Sequence, residues 1–248
     1  MHHNENTTLN EYKEYKVWDI ATRVFHWVNF LTVLGLIFVA CIMMFKKELG
    51  ITGLEAKIAL KEVHIIIGYV FASNLFIRII WGFIGGKYSR WKTILPGEGY
   101  LKQLQDYIRS IKAGTPDTYQ GHNPLGRLAV LAMILLMITL MLSGFIRAGT
   151  DVYYPPFGGA IAHYVANDTT PAQDILPYNS KGTDPQKMAN IKVVKSFFGE
   201  VHEVAAFTLM FIILLHVFIV IRMEVREGGN LISAMFNGKK VLKGKPKD

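Results

Sequence analysis

The sequence predicts an all-α integral membrane protein, a four-helix bundle with a long external loop between its third and fourth helices. Three observations predict it. Four stretches each hold about 20 or more mostly apolar residues, enough to cross a bilayer as a helix. Lys and Arg are spread unevenly between the two sets of connecting segments, as a fixed orientation in a membrane requires. Four histidines, His26, His64, His202 and His216, fall inside the apolar stretches at two matched depths. Hydrophobic residues make up 51% of the 248, and the mean hydropathy is only +0.25 because the spans alternate with polar segments. An ordinary soluble globule is excluded. The single cysteine, Cys41, excludes an internal disulfide and a Cys-based zinc or iron–sulfur site. The net charge of +8 comes from basic residues that flank the spans, so it reports orientation in the bilayer and not nucleic-acid binding.

Residues 1–22 read as a polar cytoplasmic segment, with Trp18 at headgroup level; His2 and His3 are too few for a tag. The four-span domain is expected over residues 23–224. Its first span, about Val24 to Phe45, is too long for a signal-peptide core and lacks a clear cleavage site, so it is read as an uncleaved helix. The second runs from about Val63 to Ile84 and the third from Leu125 to Ile146. Between them, the amphipathic piece Tyr100 to Arg109 suits the membrane surface. An external loop over residues 148–196, rich in Pro, Gly, Asp and Tyr, precedes the fourth span at about Phe197 to Ile221. Loops of this length usually carry function, and this one is the expected docking surface. A basic cytoplasmic tail covers residues 225–248. Seventeen Lys and Arg fall on the face shared by both termini and nine on the other, which places both termini in the cytoplasm.

Coordinating side chains inside a membrane span are costly and point to function. His26 lies near the cytoplasmic start of the first span and His64 near the external start of the second, while the fourth span carries His202 externally and His216 toward the cytoplasm. The 14 residues from His202 to His216 turn about 40° short of four full turns and rise about 21 Å, so one helix face offers an imidazole near each leaflet. Pairs His26/His216 and His64/His202 follow. Two imidazoles from separate helices across an apolar gap suit bis-histidine haem, whose iron has both axial positions filled and favours electron transfer over oxygen chemistry. Hydrogen-bonded core histidines, a zinc site and a proton relay are the competing readings; the last two want Cys, Asp or Glu that the spans mostly lack. Arg78, 14 residues after His64, would pair with a haem propionate or else snorkel to the headgroups, and Arg23 is a second candidate of the same kind. Gly35, Gly68, Ala72, Gly144, Ala205 and Ala206 allow close approach of a macrocycle or of a neighbouring helix. His122 either assists quinone protonation or simply sits at a helix entry, with Asn123 as cap and Pro124 in the first turn. His163 is read as a surface residue.

The runs Trp18 to Trp27, Val63-His64 with Arg78 to Trp81, Gly121 to Leu125, Val201 to Glu203 and His216 to Arg222 together resemble the b-type cytochrome subunits of membrane-bound nickel–iron hydrogenases, within the bacterial cytochrome b561 group. The likeness covers residues 16 to 242, and the order of its four histidines is its most specific part. The resemblance implies two haems b with His26, His64, His202 and His216 as axial iron ligands, in a multi-pass protein of the bacterial inner membrane. It implies electron exchange between a periplasmic redox partner, hydrogenase-like or cytochrome c-like, and the quinone pool. The chain is then an electron-transfer subunit of a respiratory complex, with room for a homo-oligomer within it, and not a stand-alone enzyme. The alternative is a self-contained oxidoreductase that reduces quinone with electrons from a small external reductant.

Overall fold

The computed structural model describes residues 12–227, 231–243 and 245–248. His2 and His3, with the rest of the first 11 residues, and residues 228–230 and 244 of the tail lie outside the described residues. In chain order the elements are β1 (Tyr12–Lys16), α1 (Ile20–Met44), α2 (Leu54–Ile84), α3 (Trp91–Ile94), α4 (Tyr100–Lys112), α5 (Pro124–Val152), α6 (Gly158–Val165), α7 (Pro185–Glu227), α8 (Leu231–Asn237) and β2 (Lys239–Lys243). The fold is all-α apart from the two short strands. Four helices, α1, α2, α5 and α7, are long and apolar enough to cross a membrane. They leave large apolar side chains outward, among them Leu34, Phe38, Phe76, Phe211 and Leu214, as a lipid-facing surface does.

Three of the four helices outrun the expected spans by several residues. The second begins at Leu54 instead of Val63, the third ends at Val152 instead of Ile146, and the fourth extends over Pro185–Glu227. A hydropathy reading stops where residues become polar, whereas backbone hydrogen bonding continues into water. At α7 the start is set by Asp184, whose Oδ1 accepts from the backbone N–H groups of Gln186 (2.8 Å) and Lys187 (3.0 Å), with Pro185 at the first helical position. The connection between α5 and α7 therefore narrows from 148–196 to residues 153–184 and contains α6.

Packing divides the chain into two compact units, and each long helix contributes residues to both. One unit takes the described residues of Met1–His26, Arg78–Ala132 and Ile213–Asp248. Here β1 pairs antiparallel with β2, Tyr12 opposite Lys243 and Lys16 opposite Lys239. Val17, Trp18, Tyr88 and Ala234 form a small core beside them. Trp18 is thus buried inside the protein and not an exposed anchor, because residues of β1 and α8 cover it. The α4 helix is held through Tyr100, whose hydroxyl donates to the Pro124 carbonyl (2.8 Å), and Tyr107, whose hydroxyl accepts from the Asn123 amide (2.8 Å). Its buried tyrosine face docks on the start of α5. Asn123 Oδ1 caps that start by accepting from the Gly126 N–H at 2.7 Å. Gly82 leaves the room that the Trp91 indole fills, and that indole donates to the Ile79 carbonyl at 3.0 Å.

The other unit takes Trp27–Ile77 and Met133–Ile212. Leu75, Phe71, Ala72 and Leu209 are buried within it. Gly35 faces the Ile67 side chain, so its missing Cβ serves ordinary helix packing. In the 153–184 segment, Val165 and Ile175 are buried and Ala166 bridges Thr183. That segment is a built surface with exposed Phe157, Tyr164, Leu176 and Tyr178; His163 is also exposed.

Candidate functional site

His64 on α2 and His202 on α7 come together in the second unit, with ring centroids 6.3 Å apart and planes at 68°. An iron bound by two imidazoles requires such a separation: metal–nitrogen bonds of about 2.0 Å, with about 1.1 Å from each bonded nitrogen to its ring centre, give about 6.2 Å. The pair fits bis-histidine ligation. His202 Nδ1 lies 3.0 Å from Ser143 Oγ on α5. Nδ1 of His64 is buried with no hydrogen-bond partner among the described residues. A Cβ on Gly144 would stand 3.4 Å from His202 Cε1, so this glycine keeps α5 close to the imidazole.

Beside the pair, Arg147 is an electrostatic neighbour of both imidazoles. Its guanidinium meets Asp151 at 2.9 Å, one turn further along α5. Lys61 (2.9 Å) and Lys195 (2.5 Å) reach the same carboxylate, whose side chain is only 6% exposed. Three cations around one carboxylate leave two positive charges in excess. Both lysines also stand over the Tyr178 ring, at 5.1 and 5.2 Å.

His26 and His216 both belong to the first unit, where His216 acts electrostatically on His26. Arg78 is there too, and only 4% of it is exposed. It does not snorkel to a headgroup. Its guanidinium lies 5.8 Å from the Phe25 ring and 5.4 Å from the Trp91 ring, and Nη1 is buried without a hydrogen-bond partner among the described residues. The opposing charge that acts on it is Asp19, but that carboxylate is already engaged elsewhere. It accepts from Ser89 Oγ (2.7 Å), the Thr22 N–H (2.7 Å) and Trp81 Nε1 (3.1 Å). Burial opposes its ionisation, yet these hydrogen bonds prevail and hold the Asp19 carboxyl at about 2. Arg78 therefore keeps an orphaned buried donor, which fits a carboxylate-bearing ligand such as haem. Arg23 differs: its Nη1 donates to the Phe236 carbonyl, while Nε is buried without a hydrogen-bond partner among the described residues.

His122 packs on Trp18 with centroids 4.8 Å apart and lines a cavity of about 350 Å³ with Lys87, Tyr88, Tyr119 and Arg127. Burial, then the charges of Lys240, Arg78, His216 and Arg127, hold its imidazole near 3, so it stays neutral at physiological pH. Among the described residues, no group of three or more His, Cys, Asp and Glu could hold a metal ion. An imidazole pair alone would leave a metal short of donors, which a macrocycle would have to supply. Sequence reasoning missed Ser143, Asp19 and the Asp151 cluster. Asp19 had a legible signal as a helix-capping residue just before Ile20; for Ser143 there was none, because a hydroxyl on an apolar helix usually bonds its own backbone.

A family model described as prokaryotic cytochrome b561 matches residues 17–238. The chain belongs to this family. It contains all four span helices and all four histidines within the matched stretch. The Probable Ni/Fe-hydrogenase B-type cytochrome subunits of Rhizobium leguminosarum bv. viciae and Azotobacter vinelandii are each 22% identical to this cytochrome, over 92% of it and 89% and 88% of themselves. The Probable Ni/Fe-hydrogenase 1 B-type cytochrome subunit of Escherichia coli (strain K12) is 25% identical over 139 residues, 52% of this chain and 58% of that protein. The chain thus spans a little over half the length of the Escherichia coli relative that it matches.

Proposed function

We propose that this membrane cytochrome carries two haems b and passes electrons between a periplasmic redox partner and the quinone pool. The outer haem is assigned to His64 and His202, the inner to His26 and His216, with Arg78 and, secondarily, Arg23 for the inner propionates. The observation that carries the reading is the 6.3 Å separation of the His64 and His202 rings, the spacing two axial imidazoles need. When bound, each haem supplies a one-electron couple whose potential depends on its axial ligands, burial and nearby charge.

The chain's own contribution is placement. Gly144 admits the His202 ring, and Arg147 sets positive charge beside the outer pair. Fourteen residues of α7 separate His202 from His216, so a single helix serves both leaflets. The order of charges favours cytoplasmic termini in the inner membrane, with residues 153–184 external. The names of the relatives favour a hydrogenase as the electron-exchange partner over a cytochrome c. The test is a reduced-minus-oxidised visible spectrum of the purified chain with haem quantitation. Two b-type haems per chain are expected, and a protein without Soret absorbance overturns the proposal.

A further inference from the structure

The hydrogen bond between Ser143 and His202 makes the two proposed outer ligands unequal. Ser143 is almost fully buried on α5, and its Oγ lies 2.7 Å from the Thr139 carbonyl and 3.3 Å from that of Leu140. A carbonyl can only accept, so the single hydroxyl hydrogen is committed to the shorter of these contacts. The lone pairs of Oγ are left to face His202 Nδ1 at 3.0 Å. That contact holds only if Nδ1 carries the ring hydrogen. Nε2 is then the bare nitrogen. His64 has no such support, because its Nδ1 is buried with no hydrogen-bond partner among the described residues.

We propose that Ser143 is a positioning residue for the outer haem: it accepts the Nδ1 hydrogen of His202, fixes the tautomer that frees Nε2 for the iron, and strengthens that ligand relative to His64. An acceptor on the far nitrogen raises imidazole basicity and stabilises the oxidised metal. This rests on the di-haem reading above.

The experiment is a potentiometric titration of the purified, haem-loaded wild type, Ser143→Ala and Ser143→Thr, following each haem by its visible band. In Ser143→Ala the outer haem becomes easier to reduce by about tenfold in its one-electron equilibrium, or about 59 mV, while the inner haem does not move. Ser143→Thr keeps the hydroxyl and restores the wild-type value. An unchanged outer potential in Ser143→Ala, or equal shifts of both haems, overturns the proposal. Should Ser143→Ala lose the outer haem, nitrogen-15 NMR of histidine-labelled wild type decides: a protonated Nδ1 at His202 supports the role and a protonated Nε2 refutes it. A wild type without haem refutes the functional reading alone, since the same NMR measurement on that protein still reports the tautomer.

Discussion

Replacing Arg78 by methionine separates the cost of this arginine to the empty fold from its value to a bound haem. The guanidinium is buried against Phe25 and Trp91, and Nη1 lacks a hydrogen-bond partner among the described residues. In the haem-free protein the two ring contacts contribute about 0.5–2 kcal/mol each. The orphaned donor costs about 1–3 kcal/mol, so the terms nearly cancel. Arg78→Met should therefore unfold within about 1 kcal/mol of wild type when haem-free. If Arg78 pairs with a propionate as proposed, in the loaded protein the substitution would strand that carboxylate beside an apolar side chain. Losing one partner of a buried ion pair costs about 3–5 kcal/mol, or about 10²- to 4 × 10³-fold in haem retention. The assay is competition against a haem-free acceptor protein, read at the Soret band, with denaturant unfolding of the haem-free forms in parallel. One of the two haems should leave Arg78→Met readily, and Arg78→Lys should be intermediate because a point charge replaces a planar fork. Wild-type retention of both haems by Arg78→Met refutes the pairing.

Asp151→Asn leaves Lys61, Arg147 and Lys195 facing one another without their carboxylate. All three cations are partly solvated, so the expected loss is about 2–3 kcal/mol, a lowering of the unfolding midpoint by roughly 4–12 °C, and a midpoint within about 1 °C of wild type would dismiss the cluster as structural support. Gly144→Ala places its Cβ at van der Waals distance from His202 and should keep both haems, whereas Gly144→Leu should displace the imidazole and lose the outer one, as pyridine haemochrome quantitation would show. The Asp19 carboxyl, lowered from 3.8 to about 2, contributes stability that is complete above about pH 4 and is lost as pH falls through 2. After allowance for solvent screening this is about 1–2 kcal/mol, and Asp19→Asn should abolish that dependence in acid unfolding curves. His122, neutral down to about 3, adds a second acid-sensitive window: stability falls from pH 6.5 toward 3 as the unfolded chain takes the proton, and His122→Gln should flatten it.

Apolar length alone made α1, α2, α5 and α7 legible, because a bilayer demands about 20 such residues whatever their partners. Helical arithmetic paired the histidines: the periodicity of α7 puts His202 and His216 on one face, and the fold then brings His64 to His202. The start of α5 was legible too, since Asn123 and Pro124 are local signals. What escaped depended on distant partners. β1 and β2 are polar strands more than 200 residues apart, with no alternation to betray them. Trp18 read as an interfacial anchor because the covering residues Ala234 and Met235 are remote in sequence. Lys61, Asp151 and Lys195 are each unremarkable alone, and only the approach of three segments makes them a cluster.

The pairing of the four histidines is tested most directly by haem counting in single and double variants. Each of His26→Ala, His64→Ala, His202→Ala and His216→Ala should lose about one of two haems. The His64/His202 double variant should lose no more than either single, and the His64/His216 double variant should lose both. If His64/His216 retained one haem while His64/His202 lost both, the imidazoles would be paired otherwise and the account would fail.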